Sequence, residues 1–358
     1  MNIVVIGAGY AGAVAANRLA KKAPGVALTV VNPRPDFIER VRLHEQLAGS
    51  GSAATPLAEV LAPGIDTRIA AVGKIGDGTL ALDDGTELDF DHVIVAVGST
   101  ATPLPGTVPA GTWEGAEQAR RALDELPANS SVTVIGGGLT GIETAAEIAE
   151  ARPGLRVRLV SGEIGGSLSR GGQRKVRRGL ARLGVDCVTE EVERVDGGRA
   201  YLRGGDVLET DLALWAVVSA VPELVARSGL AVDAQGRAVV DEFLRSVTDP
   251  RVLVAGDCAA VPGMRMACAT ANPQGAHAAD TLLRTMAGRA PRPFSMGYAG
   301  QVLSVGRRDA VLQTTRRDDS PLPPAFTGRT AAAVKERIVR YAAYAARTGI
   351  SVSLPGPR

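Results

Sequence analysis

Cysteine is scarce in this chain: Cys187, Cys258 and Cys268 lie far apart in 358 residues. They make no CxxC pair, no zinc-ligand spacing and no disulfide framework, so a reducing cytoplasm is the expected compartment. No run of about 18 apolar residues occurs, which excludes an obvious membrane span. A strand begins at once at the N-terminus, leaving no room for a signal peptide. An excess of one charge is missing too. The chain has 40 Lys and Arg against 38 Asp and Glu, a net charge of +2. That balance argues against a nucleic-acid binder relying on bulk charge. Aromatic residues are only 3%, while Gly, Ala, Val and Arg abound, the composition of a GC-rich bacterial genome. A hydrophobic content of 45% over this length fits two or three globular domains better than one core.

What is present is IVVIGAGYAG at 3–12. Ile3, Val4, Val5 and Ile6 read as a fully buried parallel strand. Gly7, Gly9 and Gly12 form G-x-G-x-x-G, with Ala11 inside it. The first glycine allows the tight turn, the second lets backbone approach a pyrophosphate, and the third lets the next helix pack on the strand. The helix N-terminus favours the phosphates. The second strand, LTVVN, ends on Asn32, where such folds carry an acid for the ribose hydroxyls. Asparagine can still bond a hydroxyl, without charge. The segment ERVRLHEQLAGSGS (39–52) follows, and Arg40, Arg42 and His44 are candidates to face a bound cofactor. A solvated helix face with a capped or packed His44 is the competing reading.

Residues 65–95 read as short strands, with a hairpin turn at Asp83–Thr86. VIVAVGS is a buried strand ending in Gly98, and the Pro- and Gly-rich stretch after it has the composition of an interdomain linker. A helix is expected over 114–126. SVTVIGGGLTGIETAAEIAEA (131–151) then repeats the opening, with Gly136, Gly138 and Gly141 in the motif. Glu143 and Glu147 share one face of its helix. Ser161 ends the following strand where an acid is usual. Without that acid a 2′-phosphate meets less repulsion, and Arg170 or Arg174 could neutralise it, so NADPH is as plausible as NADH. A helix over 173–183 and a buried strand within 212–224 complete the repeat. Finally, RVLVAGDCAAVPG (251–263) runs an apolar strand into Gly256 and Asp257, an acid placed to bond a sugar or ribityl hydroxyl or to cap a turn. The helix after it begins near Asn272 and Gln274, and its amides could stabilise a reduced ring. His277 on that helix is read as packed, with catalysis the alternative.

Two such motifs about 130 residues apart, followed by a late AGD, resemble the two-dinucleotide-binding-domain flavoproteins of the pyridine nucleotide oxidoreductase superfamily. Within it the chain resembles the type II NADH dehydrogenase and apoptosis-inducing-factor-like branch. The resemblance implies an α/β fold: two Rossmann-like dinucleotide-binding domains, for FAD and NAD(P)H, the second inserted in the first, plus a C-terminal α+β segment. The implied boundaries are 1–105 and 240–295 for FAD, 106–239 for NAD(P)H and 296–358 for the remainder. By the same resemblance Gly7, Gly9 and Gly12 hold the FAD pyrophosphate, Asn32 takes the adenosine-ribose position, and Gly136, Gly138 and Gly141 hold the nicotinamide cofactor. Asp257 holds the ribityl chain, Glu143 stands near nicotinamide and flavin, and Gln274 lies beside flavin and quinone. WAVV stands at 215–218 where the family has a WAAG-like pattern. The redox-disulfide subfamily is excluded, since no cysteine pair follows the first motif.

The implied activity is hydride transfer from NAD(P)H to the flavin, then electron transfer to a quinone-like acceptor. Two alternatives remain: a flavin-dependent reductase of a specialised bacterial pathway acting on an aromatic compound, and a redox-switched binding protein. For His44, placed by the resemblance on the flavin's si side, four roles stay open: a structural cap, a hydrogen bond to flavin or substrate, a proton donor, or a covalent tether. The tail holds strands and then the helix TAAAVKERIVRYAAYAAR (330–347), whose apolar residues Val334, Ile338, Tyr341 and Ala345 recur at helical spacing. Its basic residues, Lys335, Arg337, Arg340 and Arg347, permit an interfacial helix on the inner face of a membrane. Packing on its own domain or on a homodimer partner is the alternative.

Overall fold

The structure is a computed structural model and describes residues 1–357. The run Ile3–Ile6 is apolar on both faces, and such a strand is stable only where both faces are covered. It forms the middle of a five-stranded parallel sheet in the order 252–254, 92–95, 2–6, 27–32, 66–69. A second five-stranded parallel sheet is built the same way, in the order 108–109, 212–215, 131–135, 156–160, 186–188. The internal repeat is therefore structural: each glycine motif leaves the central strand of its own sheet. Each unit also carries a three-stranded antiparallel meander, at 72–89 and at 192–209. The chain leaves the first sheet after 92–95 and returns to it at 252–254. The second Rossmann-like unit is thus inserted in the first.

Local chemistry sets several boundaries. Asp84 accepts from the Thr86 amide in the expected hairpin turn. The helix expected over 114–126 spans Trp113–Glu125, capped by Thr112, whose hydroxyl accepts from the Gly115 amide at 3.2 Å. The helix expected over 173–183 starts earlier, at Arg170, because Ser169 caps it. The buried strand expected within 212–224 stops at Trp215.

The helices after the glycine motifs, Tyr10–Lys22 and Leu139–Ala151, cover their sheets. Helix Cys268–Met286 crosses the first of them closely enough that a Cβ on Gly275 would sit 2.1 Å from the Ala11 carbonyl oxygen. After it come a three-stranded antiparallel sheet (300–304, 310–315, 321–327) and the helix Arg329–Thr348. That last helix buries Ala331, Val339, Ala342, Ala345 and Ala346, and the last three of these share a core with Tyr10–Lys22. The stripe expected from spacing is corrected here. Only Ala345 of it is buried, and Ile338 and Tyr341 are exposed together with Tyr344. Small residues form the packed face because the two helices lie close, and the large ones are left outside. No helix among the described residues is long and apolar enough to cross a membrane.

Candidate active site

The two glycine loops share one geometry. Gly7 and Gly136 have φ of 92° and 120°, values open to glycine and strained for other residues. A Cβ on Gly12 would meet the Gly7 carbonyl oxygen at 1.8 Å, and one on Gly141 would meet that of Gly136 at 1.8 Å. By contrast, a Cβ on Gly9 or Gly138 meets nothing within 4 Å. The outer glycines of each motif are thus closed by the protein's own backbone. The middle one faces open space at a helix N-terminus that no side chain caps. That is a cradle for a diphosphate, and there are two of them.

Around the first cradle several candidates make bonds within the protein. Asn32 is buried and bonded within the protein: its Oδ1 accepts from the Ala8 amide at 2.9 Å and its Nδ2 donates to the Arg34 carbonyl at 2.8 Å. It braces the glycine loop. Ala11 is a packing residue, 3.2 Å from the position a Cβ on Gly256 would take. Gln274, expected beside flavin and quinone, is 2% exposed, and its Oε1 accepts from the Gly256 amide at 2.7 Å. It holds the Gly256–Asp257 turn in place. Asp257 accepts from the Ser99 hydroxyl at 2.6 Å through Oδ2, while its Oδ1 is buried with no partner among the described residues. Arg40 locks the same corner, donating to the Ser99 carbonyl at 2.7 Å and the Gly111 carbonyl at 2.8 Å. Gly98, with φ of 70°, turns the chain beside it. Arg42, expected to face the cofactor, is engaged instead by Glu45 at 3.1 Å and Glu336 at 2.9 Å, with Glu39 at 3.6 Å.

His44 and Glu143 do come together, and two residues that the sequence did not single out for the site join them. Glu143 Oε1 accepts from the Ser304 amide at 2.9 Å and the Ser304 hydroxyl at 3.2 Å, and it pairs with the Lys335 ammonium. Lys335 Nζ also donates to Ser304 Oγ at 2.9 Å, and His44 Nε2 lies 3.4 Å from that hydroxyl. Four elements meet here: the short helix 43–48, the second-motif helix, the strand 300–304 and the last helix. Burial pushes the His44 imidazole down to about 4, more than the nearby Glu143 carboxylate can offset. His44 is therefore neutral at pH 7, which weighs against the proton-donor role among the four left open. Burial alone would raise the Glu143 carboxyl, but the Lys335 ammonium and the Ser304 amide outweigh it and hold it below the ordinary range. The charge at the centre is a Lys–Glu pair. Next to it Glu147, 1% exposed, binds Arg307 at 2.6 Å and the Ser50 hydroxyl. Burial raises its carboxyl above the usual value.

The remaining candidates lie elsewhere. Ser161 is half-buried at the end of its strand, its amide bonded to the Val188 carbonyl, and Arg170 and Arg174 are exposed. The Glu163 carbonyl presses on the second loop, 2.0 Å from where a Cβ on Gly137 would sit. His277 stacks edge-on against Phe294 at 5.3 Å, in a cleft toward the other end of its helix. Burial pushes the Cys258 and Cys268 thiols up to about 12, so neither is a thiolate at neutral pH.

Residues 1–280 match the family model described as pyridine nucleotide-disulphide oxidoreductase. The chain belongs to this family. An NADH dehydrogenase-like protein of Mycobacterium tuberculosis (strain CDC 1551 / Oshkosh) is 29% identical over 348 residues, covering 86% of each chain. Ferroptosis suppressor protein 1 of Xenopus laevis is 25% identical over 338 residues, covering 87% of this chain and 88% of its own. The sulfide:quinone oxidoreductase of Aquifex aeolicus shares the fold, with a TM-score of 0.79 and 18% identity over 97% of this chain and 92% of its own. Membership makes this chain an FAD-containing, NAD(P)H-dependent flavoprotein oxidoreductase. The open middle glycines and the unpartnered Asp257 Oδ1 fit that pair of cofactors. What the sequence missed was that Ser304 and Lys335 join the Glu143 cluster. Lys335 is separated from Glu143 by 192 positions and reads as one more solvent-facing cation of an amphipathic helix.

Proposed function

We propose that this oxidoreductase passes electrons from NAD(P)H through FAD to a quinone-like small molecule, with Lys335 as the proton donor to that acceptor. The observation that carries the reading is the buried Lys335–Glu143–Ser304–His44 cluster. A quinone becomes more basic as it is reduced and needs protons where water is excluded. A buried ammonium supplies one, and its carboxylate partner holds it in place. The names of the relatives agree in kind: one is a sulfide:quinone oxidoreductase and another is NADH dehydrogenase-like.

FAD supplies the acceptance of a hydride and the release of its electrons. The chain supplies binding, orientation and the proton. The amides after Gly9 would hold the FAD diphosphate, and Asp257 Oδ1 would accept from a ribityl hydroxyl. The amides after Gly138 would hold the diphosphate of NAD(P)H. Glu143 fixes the Lys335 Nζ in place, Ser304 bridges it to His44, and the neutral imidazole closes the cluster without adding a second positive charge.

Stopped-flow measurement on the FAD-loaded protein separates the two half-reactions. Lys335→Met should leave reduction by NADH or NADPH within about threefold and slow reoxidation by a short-chain quinone roughly a hundredfold. Reoxidation by quinone at the native rate in that variant would remove Lys335 from the reaction. Failure of the native protein to reduce any quinone would remove the acceptor class. The exposed Ile338, Tyr341 and Tyr344 beside Arg337 and Arg340 also support contact with a membrane surface, where long-tailed quinones reside. Replacing all three apolar residues by serine should abolish flotation with anionic vesicles; unchanged flotation would assign that contact to another surface.

A further inference from the structure

A cleft of about 600 Å³ lies beside the C-terminal half of helix Cys268–Met286. From Gln274, which holds the Asp257 turn, to Arg284 in the cleft is ten residues, roughly 15 Å along the helix axis. Lys22, Arg284, Arg289 and Arg292 line it, with Asp280 its one carboxylate. That excess of three positive charges is larger than the net charge of the whole chain, +2. Arg284, Arg289 and Arg292 make no ion pair among the described residues, and Arg284 Nε donates to the Ala290 carbonyl at 2.7 Å. Asp280 does not oppose an anion, because Arg18 at 2.7 Å and Lys22 at 2.8 Å already neutralise it.

A helix C-terminus attracts a cation through its carbonyls, and Arg284 in the last turn answers to that. Arg289 and Arg292 do not. They lie beyond the helix in the linker GRAPRPF, with prolines on both sides of Arg292. The prolines restrict the backbone, so less entropy is lost when that guanidinium is engaged. One further group is unsatisfied. His277 Nε2 is buried without a partner, while its ring is held by the Arg292 backbone and by Phe294.

We propose that this cleft binds a phosphate-bearing anion through Arg284, Arg289 and Arg292. Guanidinium forks match phosphate oxygens two at a time, and three of them around a concave surface select a dianionic group over a single carboxylate. The volume is that of a small-ligand site. The phosphate could belong to a soluble ester or to a lipid headgroup, and the test distinguishes the two.

The FAD-loaded protein, with its second glycine loop saturated by NAD⁺, is titrated with pyrophosphate by calorimetry. In parallel it is sedimented with phosphatidylcholine vesicles with and without phosphatidic acid. Arg284→Gln/Arg289→Gln/Arg292→Gln is carried through both arms. The native protein should bind at least one probe, and the triple variant should bind it at least about tenfold more weakly. Pyrophosphate binding alone identifies a soluble phosphate ligand; retention on phosphatidic acid vesicles alone identifies a headgroup. Binding of neither probe by the native protein, or equal binding by the variant, overturns the proposal. Reduction of the variant by NAD(P)H should match the native rate, so this test stands or falls apart from the acceptor reading.

Discussion

Lys335 and Glu143 are 12% and 13% exposed, and each is the other's main compensation for leaving water. Removing one side of such a pair costs more than removing both, because the survivor is left charged and dry. Lys335→Met should therefore destabilise the protein by about 2–4 kcal/mol, and adding Glu143→Leu should restore part of it. Chemical denaturation of both single variants and the double variant measures this. Additive effects would mean the pair is solvated. His44 makes a pH-dependent contribution of definite sign. Its folded pKa is about 4, below the ordinary imidazole value of 6.5. The unfolded chain thus binds a proton first as the pH falls. Stability associated with His44 is fully present above pH 6.5 and is lost as the pH falls toward 4, by at most roughly 3 kcal/mol. The depressed Glu143 carboxyl works in the same direction below the ordinary carboxyl value of 4.5. His44→Gln should flatten the curve of unfolding free energy between pH 6.5 and 4; an unchanged slope there would show that the imidazole is hydrated.

At the scale of elements, the last helix owes its position to polar anchors as well as to its alanine face. Asn17, 2% exposed, donates to the Val60 carbonyl at 2.8 Å and the Ala346 carbonyl at 2.7 Å, and accepts from the Ala62 amide at 2.7 Å. One amide joins the first-motif helix, the loop at 60–62 and the last helix. Asn17→Leu keeps the size and strands three buried backbone groups, at about 1–3 kcal/mol for each that finds no water. A lowered melting temperature with faster proteolysis of the last helix is expected. Loss of melting temperature without any change in cleavage would place the strain elsewhere. Spacing identified the last helix and its length, but its buried face depends on which neighbour it meets. Large side chains would hold it away from Tyr10–Lys22, so the alanines turn inward and Ile338 and Tyr341 outward.

At the scale of the whole molecule, we propose that the two similar units bind different nucleotides and that the choice within the second is set where its strand ends. Ser161 offers no carboxylate to repel a 2′-phosphate, and Arg170 and Arg174 on the exposed face make no ion pair among the described residues. We expect NADPH to be tolerated, and Ser161→Glu to raise the preference for NADH roughly tenfold, about 1.4 kcal/mol. Steady-state kcat/KM with both nucleotides checks this. A native protein that already rejects NADPH strongly would show that the loop at 162–166, which lies over Gly137, sets the choice instead.

The sequence by itself determined the two glycine loops, the sheets they serve and the family chemistry that goes with them. Those features are local: strand, turn and helix follow one another within about twenty residues, and the spacing carries the geometry. It also brought out Asp257, because an acid after a buried strand and a glycine has few places to point. Tertiary structure alone shows what Asn32, Gln274 and Arg42 bond within the protein: the Ala8 amide, the Gly256 amide and Glu336 respectively. Tertiary structure also assembled the centre of the site from residues 44, 143, 304 and 335. A lysine on a helix surface has the same local pattern whether it faces water or a buried glutamate 192 positions away. Only the approach of the last helix to the second-motif helix makes the difference, and that approach is a property of packing rather than of spacing.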